Sequence, residues 1–114
     1  MHELGIVFHI IDSVKEVAKE NNVTHISTVT LEIGEVSGIV NSYLEDCWNW
    51  ACTKEEIMKD CKLNIQPIKA VTYCEDCKET YSTLEYGKIC PHCGSKNTYL
   101  ITGQETNIKE IEVN

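Results

Sequence analysis

The stretch YCEDCKETYSTLEYGKICPHCG, running from Tyr73 to Gly94, decides how the chain is put together. It sets Cys74, Cys77, Cys90 and Cys93 as CxxC, twelve residues, then CxxC. Each CxxC can turn back on itself and present two sulfurs to one ion. Two such turns brought together by a hairpin give tetrahedral S4 coordination. Gly94 permits the tight backbone after the second pair, and Pro91 stiffens it. The surrounding segment, Val71 to Thr102, holds only scattered apolar residues. About 30 residues with so little to bury need a metal or disulfides to fold, so residues 71–102 read as an inserted module.

Zinc is the leading occupant, because it favours closed thiolate sites and adds folding free energy on the order of 10 kcal/mol in small metal-dependent modules. Such a site is structural: four thiolates leave no open position for a catalytic water, which speaks against a zinc hydrolase. Two alternatives stand beside it. A redox iron would use the same sulfurs, and CPHCG resembles one rubredoxin knuckle, although Lys78 follows Cys77 where that family has glycine. A disulfide pairing would need an oxidising compartment, which nothing in the sequence indicates. His92 sits between two paired ligands, a position that usually points outward. The other three cysteines, Cys47, Cys52 and Cys61, are scattered and read as packed thiols.

On the N-terminal side of the module, Leu4, Val7, Ile10, Ile11, Val14, Val17 and Ala18 recur at helical spacing, with Asp12, Lys15, Glu16 and Lys19 between them. This predicts an amphipathic helix ending near Asn21 and Asn22. The segment STVTLEIGEV then alternates, with Val29, Leu31 and Ile33 on the covered face and Thr28, Thr30 and Glu32 on the other. A second helix is expected from Ser42 as cap through Leu44, Cys47, Trp48 and Ala51. KLNIQPI reads as a strand with Pro67 marking an edge, and TNIKEIEV closes the chain as another strand.

Composition narrows the function. With 114 residues and 42% hydrophobic content, the chain supports a modest core. Eighteen acids against 10 bases give a formal net charge of -8 and a pI near 4.9. That balance disfavours a phosphate-binding surface, so no nucleic-acid partner is expected. No run approaches the roughly 18 apolar residues of a membrane span, and the start lacks the order of a signal peptide. A cytoplasmic protein without a membrane partner is the expectation.

The chain begins MHELG. The Met1 amine, the His2 backbone nitrogen and the His2 imidazole can close fused five- and six-membered chelate rings around one ion, with a fourth donor from Glu3 or elsewhere. Nitrogen-rich square-planar coordination of this kind suits Ni(II) or Cu(II). Two residues carry little specificity alone, but the order of features along the chain adds to them. MHE at the start, the amphipathic helix, LEIGEVSG, the CxxC insert with CPHCG, and the closing IKEIEV together resemble the HypA/HybF family of hydrogenase nickel-insertion proteins.

That resemblance implies an α/β (α+β) fold: a nickel-binding domain of two helices on a small antiparallel sheet, residues 1–70 and 103–114, with a zinc-ribbon-like domain inserted at 71–102. It implies a non-enzymatic metallochaperone with Ni(2+) and Zn(2+) as its metals. His2 would be the nickel ligand with Met1 and Glu3 in support, and Cys74, Cys77, Cys90 and Cys93 the zinc ligands. It implies delivery of nickel to the [NiFe]-hydrogenase large-subunit precursor with a HypB-type GTPase, and a link to urease maturation proteins in some organisms. A monomer or weak homodimer is expected. Several relatives carry an acid in the loop after the GEVSG-like segment, whereas this chain has Val40 and Asn41. A carboxylate ligand from that loop is therefore not expected here. The competing readings are a zinc-ribbon interaction module, under which MHE would be idle, and a rubredoxin-like redox protein, which would be red.

Overall fold

The computed structural model describes residues 3–113. Ten elements follow one another: α1 (Glu3–Glu20), β1 (Ile26–Gly34), α2 (Asn41–Cys52), a single 3-10 turn (Glu56–Met58), β2 (Lys62–Ile68), β3 (Val71–Cys74), β4 (Thr80–Ser82), α3 (Thr83–Tyr86), β5 (Thr98–Thr102) and β6 (Thr106–Val113). The chain forms a mixed α and β fold in two compact units.

The first unit comprises the described residues of Met1–Leu31, Ile39–Gln66 and Asn107–Asn114. The apolar stripe of α1 buries Val7, Ile10, Ile11, Val14 and Ala18. The helix stops where the sequence places its two asparagines. Asn22 takes a left-handed φ of 55°, its N–H reaches the Lys19 carbonyl at 3.3 Å, and the Val23 N–H reaches the Ala18 carbonyl at 2.9 Å. Those two bonds are the pair that closes a Schellman cap.

Helix α2 packs on α1 and buries Leu44, Trp48, Ala51 and Cys52. Trp48 is fully buried, and its indole N–H donates to the Cys61 carbonyl at 3.2 Å. The expected Ser42 cap is absent: α2 starts two residues earlier than that cap implies, with Val40 in the cap position and no side-chain cap bond.

β2, β1 and β6 form a three-stranded sheet in that order. The alternation of β1 predicts one covered face, yet Thr28 and Thr30 are buried along with Val29 and Leu31. The reason is its central place. Neighbours flank it on both sides, and a 2.7 Å hydrogen bond from Lys109 Nζ to Gln66 Oε1 links the two outer strands across it. Pro67 lies in an outer strand, where its missing N–H costs no ladder bond.

The second unit comprises Glu32–Gly38 and Pro67–Thr106. β4, β3 and β5 form an antiparallel sheet, with Thr72 opposite Tyr81 and Tyr73 opposite both Thr80 and Tyr99. The Tyr73 and Tyr99 rings sit 5.4 Å apart. Backbone bonds hold Glu32–Gly38 within this unit: Gly34 to Glu105 at 2.8 Å, Glu35 to Ile68 at 2.9 Å and Val36 to Gly103 at 2.8 Å. The Glu35 carboxylate accepts the Ala70 N–H at 2.7 Å.

Here two glycines meet. A Cβ on Gly34 would collide with the Gly103 carbonyl and approach the Gln104 nitrogen to 2.6 Å. Gly103 itself has φ of 119° and lies against Ala70. The Gly103 N–H donates to the Glu105 carboxylate at 2.6 Å. That bond, with the Glu105 and Gln104 amides, holds the Glu105 carboxyl below its usual range against a smaller opposing effect of burial.

Candidate metal centre

Strand β3 ends at Cys74, and the chain turns at once. The Cys74 N–H donates to the Glu79 carbonyl at 2.9 Å and the Lys78 N–H returns to the Cys74 carbonyl at 2.8 Å. Closing that knuckle forces Lys78 to a left-handed φ of 62°, the conformation glycine takes without strain. The second knuckle closes in the same way, with the Gly94 N–H on the Cys90 carbonyl at 2.9 Å and the Cys90 N–H on the Ser95 carbonyl at 3.0 Å. There Gly94 supplies the left-handed residue, with φ of 75°.

The two knuckles bring all four sulfurs within 4.8 Å of one another. Across the knuckles, Cys74 and Cys93 sulfurs lie 3.6 Å apart, as do those of Cys77 and Cys90. Zinc–sulfur bonds of about 2.3 Å in a tetrahedron place sulfurs about 3.8 Å apart, so the donor set fits zinc. All seven cysteines are free thiols, which sets the disulfide reading aside. His92 is exposed and outside the sulfur group; its backbone N–H, at 3.4 Å from the Cys90 sulfur, is what faces the site.

The electrostatics of the set call for a cation. Burial raises the Cys90 thiol, but the Cys93 and His92 amides and the neighbouring thiols outweigh it and bring it down to about 6. Burial first, then the other thiols, push Cys77 up to about 12. Cys93 is also raised, since the Ser95 amide that favours its thiolate is overcome by burial and by Cys74 and Cys90. One sulfur ionises readily and its neighbours then resist, because four negative charges cannot share this volume unless a dication neutralises them. The local core is correspondingly small: Cys74, Tyr81 and Cys90 are its buried side chains, with Cys77 against them. Tyr81 anchors it by donating its hydroxyl to the Gly87 carbonyl at 2.9 Å.

In the first unit, Glu3 opens α1, and its Oε2 accepts the Val40 N–H at 3.1 Å. This ties the beginning of α1 to the residue just before α2, where the sequence has Val40 and Asn41 and no acid. Met1 and His2, the other residues of the expected nickel chelate, lie outside the described residues. His25 accounts for itself through a 2.8 Å hydrogen bond to the Lys59 carbonyl. Sequence reasoning did not single out Asp76, Ser95 and Asn97, which hydrogen-bond around the cysteine knuckles. The available signal was an acid inside one CxxC and Ser-x-Asn directly after the other.

A family model described as hydrogenase/urease nickel incorporation, metallochaperone, hypA matches residues 1–113. The chain belongs to the HypA family. Among HypA-family relatives, it is 30% identical over 112 residues to the hydrogenase maturation factor HybF of Klebsiella pneumoniae, covering 98% of each chain. It is 34% identical over 113 residues to hydrogenase maturation factor HypA of Geotalea uraniireducens, covering 99% of each. It also resembles the solution structure of the Ni metallochaperone HypA from Helicobacter pylori, with TM-score 0.73, 30% identity and coverage of 99% and 97%. The HypA assignment accounts for the whole length of the chain, including the cysteine unit, and bears out the fold and family read from the sequence.

Proposed function

We propose that this HypA-family chain binds Ni(II) at its amino terminus and hands it to the [NiFe]-hydrogenase large-subunit precursor, acting with a HypB-type GTPase in the cytoplasm. Nickel is cargo. The Met1 amine, the His2 backbone nitrogen and imidazole, and Glu3 are its donors, while Cys74, Cys77, Cys90 and Cys93 hold a resident zinc that keeps residues 71–102 folded. When bound, that zinc supplies neutralising charge and a cross-link, and no open coordination site. The nickel domain is residues 1–70 with 103–114. The protein performs no catalysis of its own.

The observation that carries this reading is the family match over residues 1–113. The bond from Val40 to Glu3 supports it, because it orders the residue that follows Met1 and His2 in sequence, and an ordered donor lowers the cost of binding. A chaperone site must hold its ion firmly enough to exclude competitors and still release it. Backbone and terminal nitrogens with one imidazole meet that need, since protonation of the amine or a competing client ligand opens the rings.

The test is transfer. Nickel-loaded full-length protein is mixed with apo large-subunit precursor and the GTPase, in the presence of excess chelator, and nickel is followed by chromatography. Nickel is expected to co-elute with the precursor and zinc to stay with the chain. Nickel passing wholly to the chelator, at the same rate with and without the precursor, would overturn the delivery role.

A further inference from the structure

A CxxC knuckle fixes the distance between its own two sulfurs, but nothing within a knuckle fixes its distance from the other. Here the short sulfur pairs are both between knuckles, Cys74 with Cys93 and Cys77 with Cys90. The first knuckle is placed by the sheet, since Cys74 pairs with Thr98 at the end of β3. The second lies between α3 and β5 and carries the most open ligand, the exposed Cys93.

A hydrogen-bond network outside the sulfur set joins them. Asp76, between Cys74 and Cys77, accepts the Ser95 hydroxyl on Oδ2 and the Asn97 side-chain amide on Oδ1, the latter at 3.4 Å. The Ser95 hydroxyl oxygen accepts the Asn97 backbone N–H at 3.0 Å. The Asn97 carbonyl in turn accepts the Glu75 N–H at 3.0 Å, and the Ser95 carbonyl accepts the Cys90 N–H at 3.0 Å. Residues 75 and 76 of the first knuckle are thereby bonded to the two residues through which the chain leaves the second.

We propose that Asp76 is a positioning residue that latches the second knuckle onto the first through Ser95 and Asn97, and so sets how fast zinc leaves. The inference rests on the zinc reading above. Zinc departs when a chelator approaches the ion and one sulfur swings away, and Cys93 is the most exposed of the four ligand residues. Its movement requires the Cys93–Asn97 segment to lift from the first knuckle, which breaks the bonds to Asp76.

Zinc leaves as a dication, which the Asp76 carboxylate attracts, so loss of that charge and loss of the latch both speed release. Asp76→Asn separates the two, because it removes the charge and keeps an acceptor. Removing an outer partner of a metal ligand typically costs 10–100-fold in metal affinity, and the effect is expected in the dissociation rate.

The experiment uses the full chain with zinc bound and reads zinc release into excess chromophoric chelator. Zinc content and the Co(II) absorption spectrum of each protein are measured alongside. Asp76→Ala is expected to release zinc about tenfold faster while its Co(II) spectrum remains that of an S4 site. Asp76→Asn keeps an oxygen acceptor for Ser95 but loses the charge and the acceptor for the longer Asn97 contact, and is expected to release zinc more slowly than Asp76→Ala. Ser95→Ala removes the other side of the latch, should match Asp76→Ala, and decides the matter if Asp76→Ala does not fold. The double variant is expected to release zinc no faster than either single one, as for two ends of one interaction. Parental or slower release from the alanine variants, or equally fast release from Asp76→Asn, would overturn the latch and leave the zinc reading intact. A parent protein without stoichiometric zinc would overturn both.

Discussion

Glu3 and Val40 are 37 positions apart in sequence, yet the carboxylate of one accepts the backbone N–H of the other at 3.1 Å. The bond leaves Glu3 a dual part: it anchors the start of α1, and it is one of the proposed nickel donors. Replacing Glu3 by Ala removes both parts, and replacing it by Gln keeps an oxygen for Val40 without the charge. Glu3→Ala is expected to weaken nickel binding and to cost about 1 kcal/mol of stability at most, typical of an exposed hydrogen bond. Glu3→Gln should retain the melting temperature and recover much of the affinity if anchoring is the main part. Calorimetric nickel titration with thermal melts checks this, and parental affinity in Glu3→Ala would remove Glu3 from the site.

Cys77 is half-buried against the Cys74, Tyr81 and Cys90 cluster, and that cluster is too small to hold 30-odd residues by burial alone. Cys77→Ala leaves three thiols and a hydrophobic core of two or three side chains. The variant is expected to purify without tightly held zinc and to be cut rapidly by protease within residues 71–102, while the α1 and α2 segment resists. Zinc content by atomic absorption and digestion followed by mass spectrometry give the result. One tightly bound zinc with an unchanged digestion pattern would show that the sulfurs do not hold the unit together.

Local signals were legible in the sequence and distant ones were not. The knuckles around Cys74 and Cys90 were readable because turn chemistry and ligand spacing lie within four residues. The core face of α1 was readable because its period is set by the helix itself. The start of α2 was misread. Ser42 is a good cap by residue type, but the helix starts at Asn41 behind Val40, whose own N–H is held by the Glu3 carboxylate of another element, and no local pattern encodes that. The burial of Thr28 and Thr30 was likewise invisible, because it follows from β1 being the middle strand. The meeting of Gly34 with Gly103 depends on a pairing 69 positions apart.

That meeting yields a stability prediction. At Gly34 the atoms a side chain would strike are backbone atoms of Gly103 and Gln104, which cannot rotate aside. Gly34→Ala must therefore push the Gly103–Gln104 turn away from the end of β1, and the expected cost is on the order of 3 kcal/mol, at the upper end for overpacking. Gly5→Ala is the control, since nothing lies within 4 Å of its added carbon. Urea denaturation of the two variants should show the first far less stable than the parent and the second close to it. Equal midpoints would mean that the backbone at Gly34 and Gly103 yields without penalty.

Cys52 and Cys61 line one cavity of about 700 Å³ with Asn49, Glu55 and Lys59, and both thiols are buried. Burial, then the nearby Cys61 and Glu55, push Cys52 from 9.0 to about 12; burial raises Cys61 to about 11 against a hydrogen bond from Val29. Both should resist iodoacetamide at neutral pH, where Cys47 reacts in the zinc-loaded protein. The linkage has a definite sign. Thiols whose values are raised on folding stabilise the native state below their unfolded value of about 9, and that contribution is lost as pH rises toward 11 to 12. Stability of the parent should fall above pH 9 more steeply than in a Cys52→Ala, Cys61→Ala protein. Parallel curves for the two would show that these thiols titrate alike in both states.

The nickel proposal makes its sharpest claim about the amino group of Met1, because a chelate built on the terminus depends on the terminus being free. Two residues added before Met1 leave His2 and Glu3 in place but turn the amine into an amide and move the rings out of register. Such a protein is expected to fold, keep its zinc and lose specific nickel binding, whereas the same residues added after Asn114 should be without effect. The amine also sets the pH dependence. An α-amino group has an unperturbed pKa of about 7.7–8.0 and must lose its proton to bind, so protons compete with nickel and affinity should fall as pH drops below neutral. His2→Ala should abolish the binding with little change in melting temperature. Calorimetric titrations of the free, N-extended and C-extended proteins at pH 6.5 and 8 test all of this together. Equal nickel affinity in the free and N-extended proteins would show that the amine is not a donor and would move the site elsewhere.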